Sequence, residues 1–382
     1  MKSIAFHSKL HLHTREFHVH TGSVPEKNVI ISEIFEKGQF VSSKQLPFNT
    51  RDIEDTTSKI KFLKTIASDL HNNMIEEVKM LFYIHQKILP LKKFLAHFKL
   101  GSIFFYRNIL SEAIENFEQS IKLKNDFVPA YVRLGKCYIK RGEYGKAVEI
   151  YEQGLKIQPD FLDLSNSLGV SLTFSNEYDK ATLVLQETIK KKPDFEEANF
   201  NLGVVLFLST LEGSSDQERA IVPSRVIRYI KALNELERYQ ESYWQELFEL
   251  TLQKISEGNL EDILDSLRDL QLKLITQLKI DVLIESFYLK FMYGGRELDY
   301  EELISYENRF KKLQEQRENF ADYWNEMGII HIIQCRHLFL QSVKEFEKAV
   351  ELNKNYLEAS NNLELIKNIK NGFLILLRAI LR

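Results

Sequence analysis

Over the first fifty residues apolar and polar positions alternate, and from about residue 52 onward apolar residues recur at helical spacing. Leu10 and Leu12 alternate with His11 and His13, and Phe17 and Val19 with His18 and His20, which is the period of a half-covered strand. The parity changes near Arg15, so a turn or a bulge is expected there. Residues 28–36 form a second β-rich run, Lys37-Gly38 marks a tight turn, and residues 39–48 form a third run. The pattern predicts an antiparallel sheet of two to four strands. Alone such a sheet would be marginal, so it is expected to pack on the helices that follow.

From Asp52 to Leu89 the positions Ile60, Leu63, Ile66, Leu70, Met74, Val78, Leu81 and Ile84 trace one helical face. Asp52 and Asp55 suit a helix start and Pro90 a stop, and His71-Asn72-Asn73 predicts a break into two helices. The stretch leads straight into a region with an internal period, so it reads as a cap on that region, with a linker helix as the alternative.

The period is 34 residues: Leu100-Gly101, Leu134-Gly135, Leu168-Gly169 and Leu202-Gly203 are evenly spaced. A small residue keeps the step at Ala113, Ala147 and Ala181, and a bulky one at Phe117, Tyr151 and Leu185. So do the pairs Asp126-Phe127, Asp160-Phe161 and Asp194-Phe195, two of them preceded by Pro159 and Pro193 and the first by Asn125. Each period has room for two helices of about a dozen residues and two short turns. In the first helix Tyr131, Leu134 and Tyr138 share a face, and Gly135 allows close approach of the second, where Ala147 is small and Tyr151 fills the gap beyond. Pro159 ends one period before the next begins.

Period and residues together resemble the tetratricopeptide repeat family, fully over residues 94–207 and partially over 321–381. The resemblance implies a right-handed solenoid of helix pairs with a continuous core, since no single pair can bury its apolar face. It also implies a scaffold that binds another protein or a peptide segment.

After Leu208 the register fails. Gly213-Ser214-Ser215-Asp216 reads as a loop, Pro223 opens a helical stretch to Ser256 that closes at Gly258, and a second runs from Leu260 to Tyr293 and Gly294-Gly295, with a break near Ile280-Asp281. Two long neighbours and a short loop predict an antiparallel hairpin, with degenerate repeats as the alternative. Trp324, Met327-Gly328, Phe346, Ala349 and Asn355-Tyr356 then return to repeat positions around a lengthened turn at Arg336-His337, followed by a first helix over Leu357–Lys370 and a capping helix from Phe373 to Arg382. The expected fold is mainly α: a tetratricopeptide-type α-α solenoid with a small N-terminal antiparallel β module and a long helical hairpin insertion. Its expected parts are a β module (1–50), capping helices (51–93), a solenoid of three full repeats plus helix A of a fourth (94–211), divergent long helices (216–318) and a degenerate terminal repeat with capping helices (319–382).

Composition changes this picture little. A chain of 382 residues, 44% hydrophobic, can build a substantial core, and seven Pro with fifteen Gly fit a mostly helical protein. A net charge of -3 offers no basic footprint for nucleic acid. Cys137 and Cys335 lie in apolar helical patterns and read as buried thiols of a reducing compartment. Met1 to Leu12 has no uninterrupted apolar run, so no signal peptide is expected, and no stretch reaches the roughly 20 apolar residues of a membrane span. The expected location is the cytoplasm.

Catalytic chemistry has no anchor in the sequence. There is no phosphate-binding loop ending in Lys-Ser or Lys-Thr, no His-Glu-x-x-His helix and no Gly-x-Ser-x-Gly elbow. The expectation is therefore no enzyme, no catalytic residue and no cofactor. His11, His13, His18 and His20 could share one face of adjacent strands, as zinc ligands do, but they are read as the polar outer face of a half-covered sheet, and no metal is expected there. His7 and His71 are assigned no role.

What remains is the groove that the family resemblance implies. Its inner wall would be lined by Phe98, Ser102 and Phe105, then Val132, Lys136 and Ile139, then Asn166, Val170 and Thr173, then Phe200, Val204 and Phe207. Relatives that grip a C-terminal carboxylate carry Lys, Arg and Asn at several such places, whereas here Lys136 and Asn166 alone could donate. An apolar groove needs an occupant. Either a partner segment fills it, or residues 224–293 or the chain's end do. The leading reading is an interaction scaffold or adaptor. The alternative is a regulatory sensor, responsive to a ligand or peptide, in which the β module or the hairpin gates the solenoid.

Overall fold

The computed structural model describes residues 4–12, 15–49, 55–212, 222–277, 282–294, 300–311 and 321–380. His13, Asp52, the loop 213–216, Ile280-Asp281 and Gly295 lie outside the described residues. The chain forms two compact units, Met1–Glu285 and Ser286–Arg382.

The first unit opens with four antiparallel strands in sequence order: β1 (Ala5–Leu12), β2 (Arg15–Val24), β3 (Val29–Glu36) and β4 (Gln39–Pro47). Leu12 faces Arg15, so the parity changes between two antiparallel strands and not at a bulge within one. At the last turn Lys37 and Gly38 take φ of 50° and 78°, the left-handed pair that a two-residue hairpin loop needs, and Glu36 faces Gln39. Alternation puts Phe17, Val19, Ile30 and Ile34 on one buried face. That face packs on Leu63, Ala67 and Leu70 of helix α1 (Thr56–Ile88), and Phe17 meets Phe82.

The expected break in α1 is absent: the helix runs 33 residues through His71-Asn72-Asn73. The cause is tertiary. His71 is buried against the sheet, Nε2 2.8 Å from Ser8 Oγ and Nδ1 2.9 Å from Thr21 Oγ1, whose hydroxyl donates to Ser32 Oγ at 2.7 Å. A residue of modest helix propensity thus sits at a polar strip of a largely apolar interface. At the other end of α1, His85 Nδ1, Asn116 and His97 Nδ1 form a buried chain of contacts at 3.1 and 3.2 Å that ties the helix to the first repeat.

The repeats follow as α2 (Phe94–Tyr106), α3 (Leu110–Leu123), α4 (Val128–Lys140), α5 (Tyr144–Ile157), α6 (Leu162–Phe174), α7 (Tyr178–Lys191) and α8 (Glu196–Glu212). Within each pair the chain reverses through one left-handed residue, Asn108, Gly142 or Asn176, at φ of 57°, 74° and 60°. These too are 34 residues apart, and Asn and Gly are the residues that tolerate this conformation best.

The fourth repeat is more complete than the sequence reading allowed. Helix α9 (Ser224–Glu235) packs on α8 as its second helix, burying Val226, Ile230 and Leu233. Val226 stands over Gly203, 3.2 Å from where its Cβ would be. It lies 23 residues after that glycine, whereas Phe117, Tyr151 and Leu185 each lie 16 after theirs. The register breaks by insertion, and the pairing survives it.

The long helix expected to reach Ser256 is also interrupted. After α9 a short 3-10 turn, Glu237–Tyr239, leads to α10 (Ser242–Glu257) and α11 (Leu260–Thr276). Tyr239 pulls the chain inward: it is buried, its hydroxyl donates to Glu197 Oε1 of α8 at 2.7 Å, and its ring meets Trp244 and Phe248. Helices α10 and α11 pack together, and Asn259 caps α11 by accepting from Asp262 N.

Helix α12 (Val282–Tyr293) spans the boundary, and the second unit contains α13 (Tyr300–Lys311), α14 (Ala321–Leu352) and α15 (Leu357–Ile380). The expected turn at Arg336-His337 is absent, because α14 is continuous over 32 residues. Its middle is occupied by α13: Tyr300 stacks on His337, and Gln334 Nε2 donates to Glu307 Oε2 at 2.6 Å. A Cβ on Gly328 would meet nothing within 4 Å, so this glycine is not a helix crossing. Helix α15 runs on past Lys370 without a separate capping helix, and Phe373 packs on Phe339 of α14. Cys137 is buried as expected, but Cys335 is exposed. Among the described residues no helix is long and apolar enough to cross a membrane.

Candidate functional site

The first helices of the repeats, α2, α4, α6 and α8, carry the twelve groove positions, and α11 lies across α4, α6 and α8. Ten of the twelve are buried; Val132 and Lys136 are half-buried. The wall is thus largely buried by the chain's own packing, in part beneath α11. Leu267, Leu270, Gln271, Leu274 and Ile275 of α11 are buried. A polar chain fastens the helix: Gln271 Nε2 donates to Asn201 Oδ1 at 3.1 Å, and Asn201 Nδ2 donates to Asn166 Oδ1 at 2.9 Å. Phe98 is held by Phe127 and Phe117, with the Arg133 guanidinium 4.2 Å from its ring centre, and Lys140 Nζ stands 4.4 Å over Phe105.

Where α11 ends, the groove stays open. A cavity of about 380 Å³ is bounded by Phe98, Val132, Lys136 and Asn166 on the repeat side and by Tyr239 and Leu274 on the other. Lys136 Nζ donates to the backbone carbonyl of Gln277 at 2.9 Å. Burial lowers its pKa to about 8, against the pull of Asp163 and with a further push from Arg133. The ammonium here is largely dehydrated and bonded to a neutral carbonyl, a setting in which an incoming anion would gain more than at the surface. Arg238, at the rim, pairs with Glu197.

The second arrangement is on the outer face of the sheet. The hairpin register sets His7 opposite His20, Lys9 opposite His18, and His11 opposite Glu16. His7, His18 and His20 therefore come together, where the sequence reading had grouped His11 and His13 with His18 and His20. His7 Nε2 and His18 Nδ1 are 3.1 Å apart, and the rings of His7 and His20 are 4.4 Å apart at their centres. Glu16 accepts from Lys9 at 2.8 Å and lies 2.9 Å from His18 Nε2, and these two contacts lower its pKa. Desolvation by the neighbouring rings lowers the pKa of His20, helped by His7 and His18 and opposed by Glu33. The signal for His7 was in the sequence, but it needed the register of the hairpin, which alternation alone does not supply.

The tetratricopeptide repeat family model matches residues 128–161, the second repeat. No curated protein matches the chain. Solved structures similar to it include a crystal structure of MamA, 20% identical, covering 49% of this chain and 97% of that one with a TM-score of 0.32. Another is YrrB, a protein of the same repeat type with an unusual peptide-binding site, 17% identical over 50% of this chain and 95% of that one, TM-score 0.31. PilF of Pseudomonas aeruginosa is 17% identical over 61% of this chain and 97% of its own, TM-score 0.33. Scores this low carry nothing about the partner of this chain. The repeat matched by the family model is one of a series that keeps its 34-residue register and folds as the stacked helix pairs that register requires, so residues 128–161 are a tetratricopeptide repeat within a solenoid of that type.

Proposed function

We propose that this protein is an interaction scaffold whose partner places an extended segment in the open part of the concave groove, between Phe98, Val132, Lys136 and Asn166. The observation that supports this most is the cavity of about 380 Å³ left beside α11, lined by first-helix residues of four successive repeats. It offers apolar contact at Phe98 and Val132 and the cations Lys136 and Arg133 beside the carboxylate of Asp163, with Arg238 and Glu197 paired at the rim, which suits a peptide bearing an acidic group amid apolar residues. The remaining groove positions, from Ser102 and Phe105 to Val170, Thr173, Phe200, Val204 and Phe207, then act as the packed wall behind that site. A photo-cross-linking residue at Val132 of the full-length protein, in its native cell, should yield one protein adduct. Lys136→Glu, shown by circular dichroism to be folded, should abolish it. An adduct indifferent to Lys136→Glu, or none, would defeat this reading.

A second reading, the gated sensor, is favoured by the seat of α11 on α4, α6 and α8. In it α11 undocks to uncover the rest of the wall, and a ligand that favours the undocked state shifts the balance. Fixing α11 to α8 by an engineered disulfide distinguishes the two: a partner held in the open cavity still binds, whereas a partner that needs the wall uncovered is lost.

A further inference from the structure

We propose that His7, His18 and His20 form a binding site for a divalent transition metal of the zinc class on the outer face of the N-terminal sheet. This is independent of the groove and of the scaffold reading. One ring nitrogen from each histidine lies within 4.8 Å of the other two. Tetrahedral zinc with Zn–N bonds of about 2.0–2.1 Å places its ligand nitrogens about 3.3 Å from one another. His7 Nε2 and His18 Nδ1 already stand 3.1 Å apart, and His20, whose side chain is exposed, closes the set by rotating about its side-chain bonds.

The backbone fixes the arrangement. His18 and His20 are two residues apart on β2 and so share a face, and the ladder sets His7 of β1 directly opposite His20. Ligands held on paired strands keep their spacing better than ligands on a loop. His11, on the same strand as His7, is four residue pairs further along and faces Glu16, so it stands outside the site.

The chemistry around the cluster selects the correct tautomer. His18 Nε2 is 2.9 Å from Glu16 Oε1, and a proton donated to that carboxylate leaves the Nδ1 lone pair directed at His7. A carboxylate behind a histidine is the usual support of a metal ligand, and Glu16 is itself held by Lys9 at 2.8 Å. Phe35 meets the His20 ring edge-on at 5.4 Å and 84° and forms an apolar wall beside the site. Beside the cluster is a depression of about 450 Å³ lined by His18, His20, Glu33, Phe35 and Gly38. It leaves room for water or another small ligand in the fourth position of the ion, as three-histidine zinc sites have. Glu33 stands across the ladder from His20 and puts a negative charge near the incoming cation. An all-imidazole ligand set suits zinc, cobalt or nickel and not the oxygen-seeking magnesium or calcium.

The test uses the full-length protein without a histidine tag, stripped with a chelator, dialysed, and titrated near neutral pH with zinc by calorimetry and with cobalt by visible absorption. The expected result is one ion per chain on a monomeric protein and a cobalt spectrum of tetrahedral intensity. Glu16→Gln should weaken zinc binding about 10-fold with unchanged stoichiometry, and His7→Ala, His18→Ala and His20→Ala should each weaken it more than that. His11→Ala should bind like the wild type. Because these side chains are on the solvent face, the variants are expected to keep the wild-type circular dichroism. Zinc bound no more tightly by the wild type than by the triple His7→Ala/His18→Ala/His20→Ala variant would overturn the proposal. So would equal loss in His11→Ala, or one ion shared by two chains in a zinc-induced dimer.

Discussion

Tyr151 fills the space that a side chain at Gly135 would need: a Cβ built on the glycine would stand 2.2 Å from the tyrosine ring. Leu185 does the same at Gly169, at 2.6 Å, and Phe117 at Gly101, at 2.9 Å. The repeat is therefore one packing rule, a bare backbone under a bulky side chain 16 residues later, applied three times. Gly135→Ala should cost about 1–3 kcal/mol by overpacking. Gly203→Ala, facing Val226 at 3.2 Å, should cost less. Gly328→Ala, mid-helix with open space around it, should instead stabilise by about 0.5–1 kcal/mol through helix propensity. Urea denaturation of the three variants would check the order, and an unchanged midpoint for Gly135→Ala would mean that the helices are paired differently.

Arg15 joins the sheet to the solenoid. Its guanidinium bonds Glu36 of β3 and Glu112 of α3 and lies 5.0 Å from the Phe17 ring centre. Burial works against the charge, but the two carboxylates outweigh it and push the arginine pKa above its ordinary value. Arg15→Met would leave two largely buried carboxylates facing each other, at a cost of roughly 3 kcal/mol. Adding Glu36→Gln and Glu112→Gln should recover most of that loss in thermal melts. Failure of the triple variant to recover would show that the ion pairs are not what docks the module.

The solenoid could be read from the sequence because the same contact recurs: Leu-Gly under Phe117, Tyr151 and Leu185, with breakers between. Where a contact is made by different residues, the sequence carries no such recurring signal. Val226 does for Gly203 what Tyr151 does for Gly135, yet an insertion removes it from the register. Propensity placed a break at His71, where a hydrogen bond across to Thr21 rewards an unbroken helix. Alternation found the outer face of the sheet but missed His7, since a strand pattern does not say which residue faces which. The groove positions were found through the family resemblance. Their cover, α11, carries no repeat signature of its own.

Stability should fall on mild acidification, and His71 should account for part of the slope. Burial lowers its pKa, with a smaller push from His7 and His20. As pH falls, the unfolded chain takes up this proton near an ordinary value of about 6.5, while the folded chain resists it. The contribution is therefore fully present above about pH 6.5 and is lost as pH falls from there towards the folded value. Burial shifts His85 in the same direction, opposed by Glu115 and Glu112, so His71 is one contributor of several. His71→Gln keeps a hydrogen-bonding side chain without a titration. Its thermal midpoint should depend less on pH between about 7 and 5 than that of the wild type, and parallel curves would exclude His71 from the effect.

The link from α11 to the repeats decides how closed the groove is. Gln271, Asn201 and Asn166 are all buried, and Gln271 supplies a donor to Asn201 Oδ1 at 3.1 Å. Gln271→Ala leaves that oxygen short of a donor in a dry interface, at a cost of about 1–3 kcal/mol. The double variant with Asn201→Ala should show a coupling of roughly 0.5–3 kcal/mol, as residues in one network do. Global denaturation cannot tell loss of docking from loss of the solenoid, but hydrogen exchange can. In the wild type the amides of α11 should exchange slowly, like those of α4 and α6 beneath it. In Gln271→Ala the amides of α11 should quicken more than those of α5, because a helix docked by one face opens before the stack it covers. Rapid exchange along α11 in the wild type would mean that the helix does not cover the wall, and Leu267, Leu270 and Leu274 would then need another explanation for their burial.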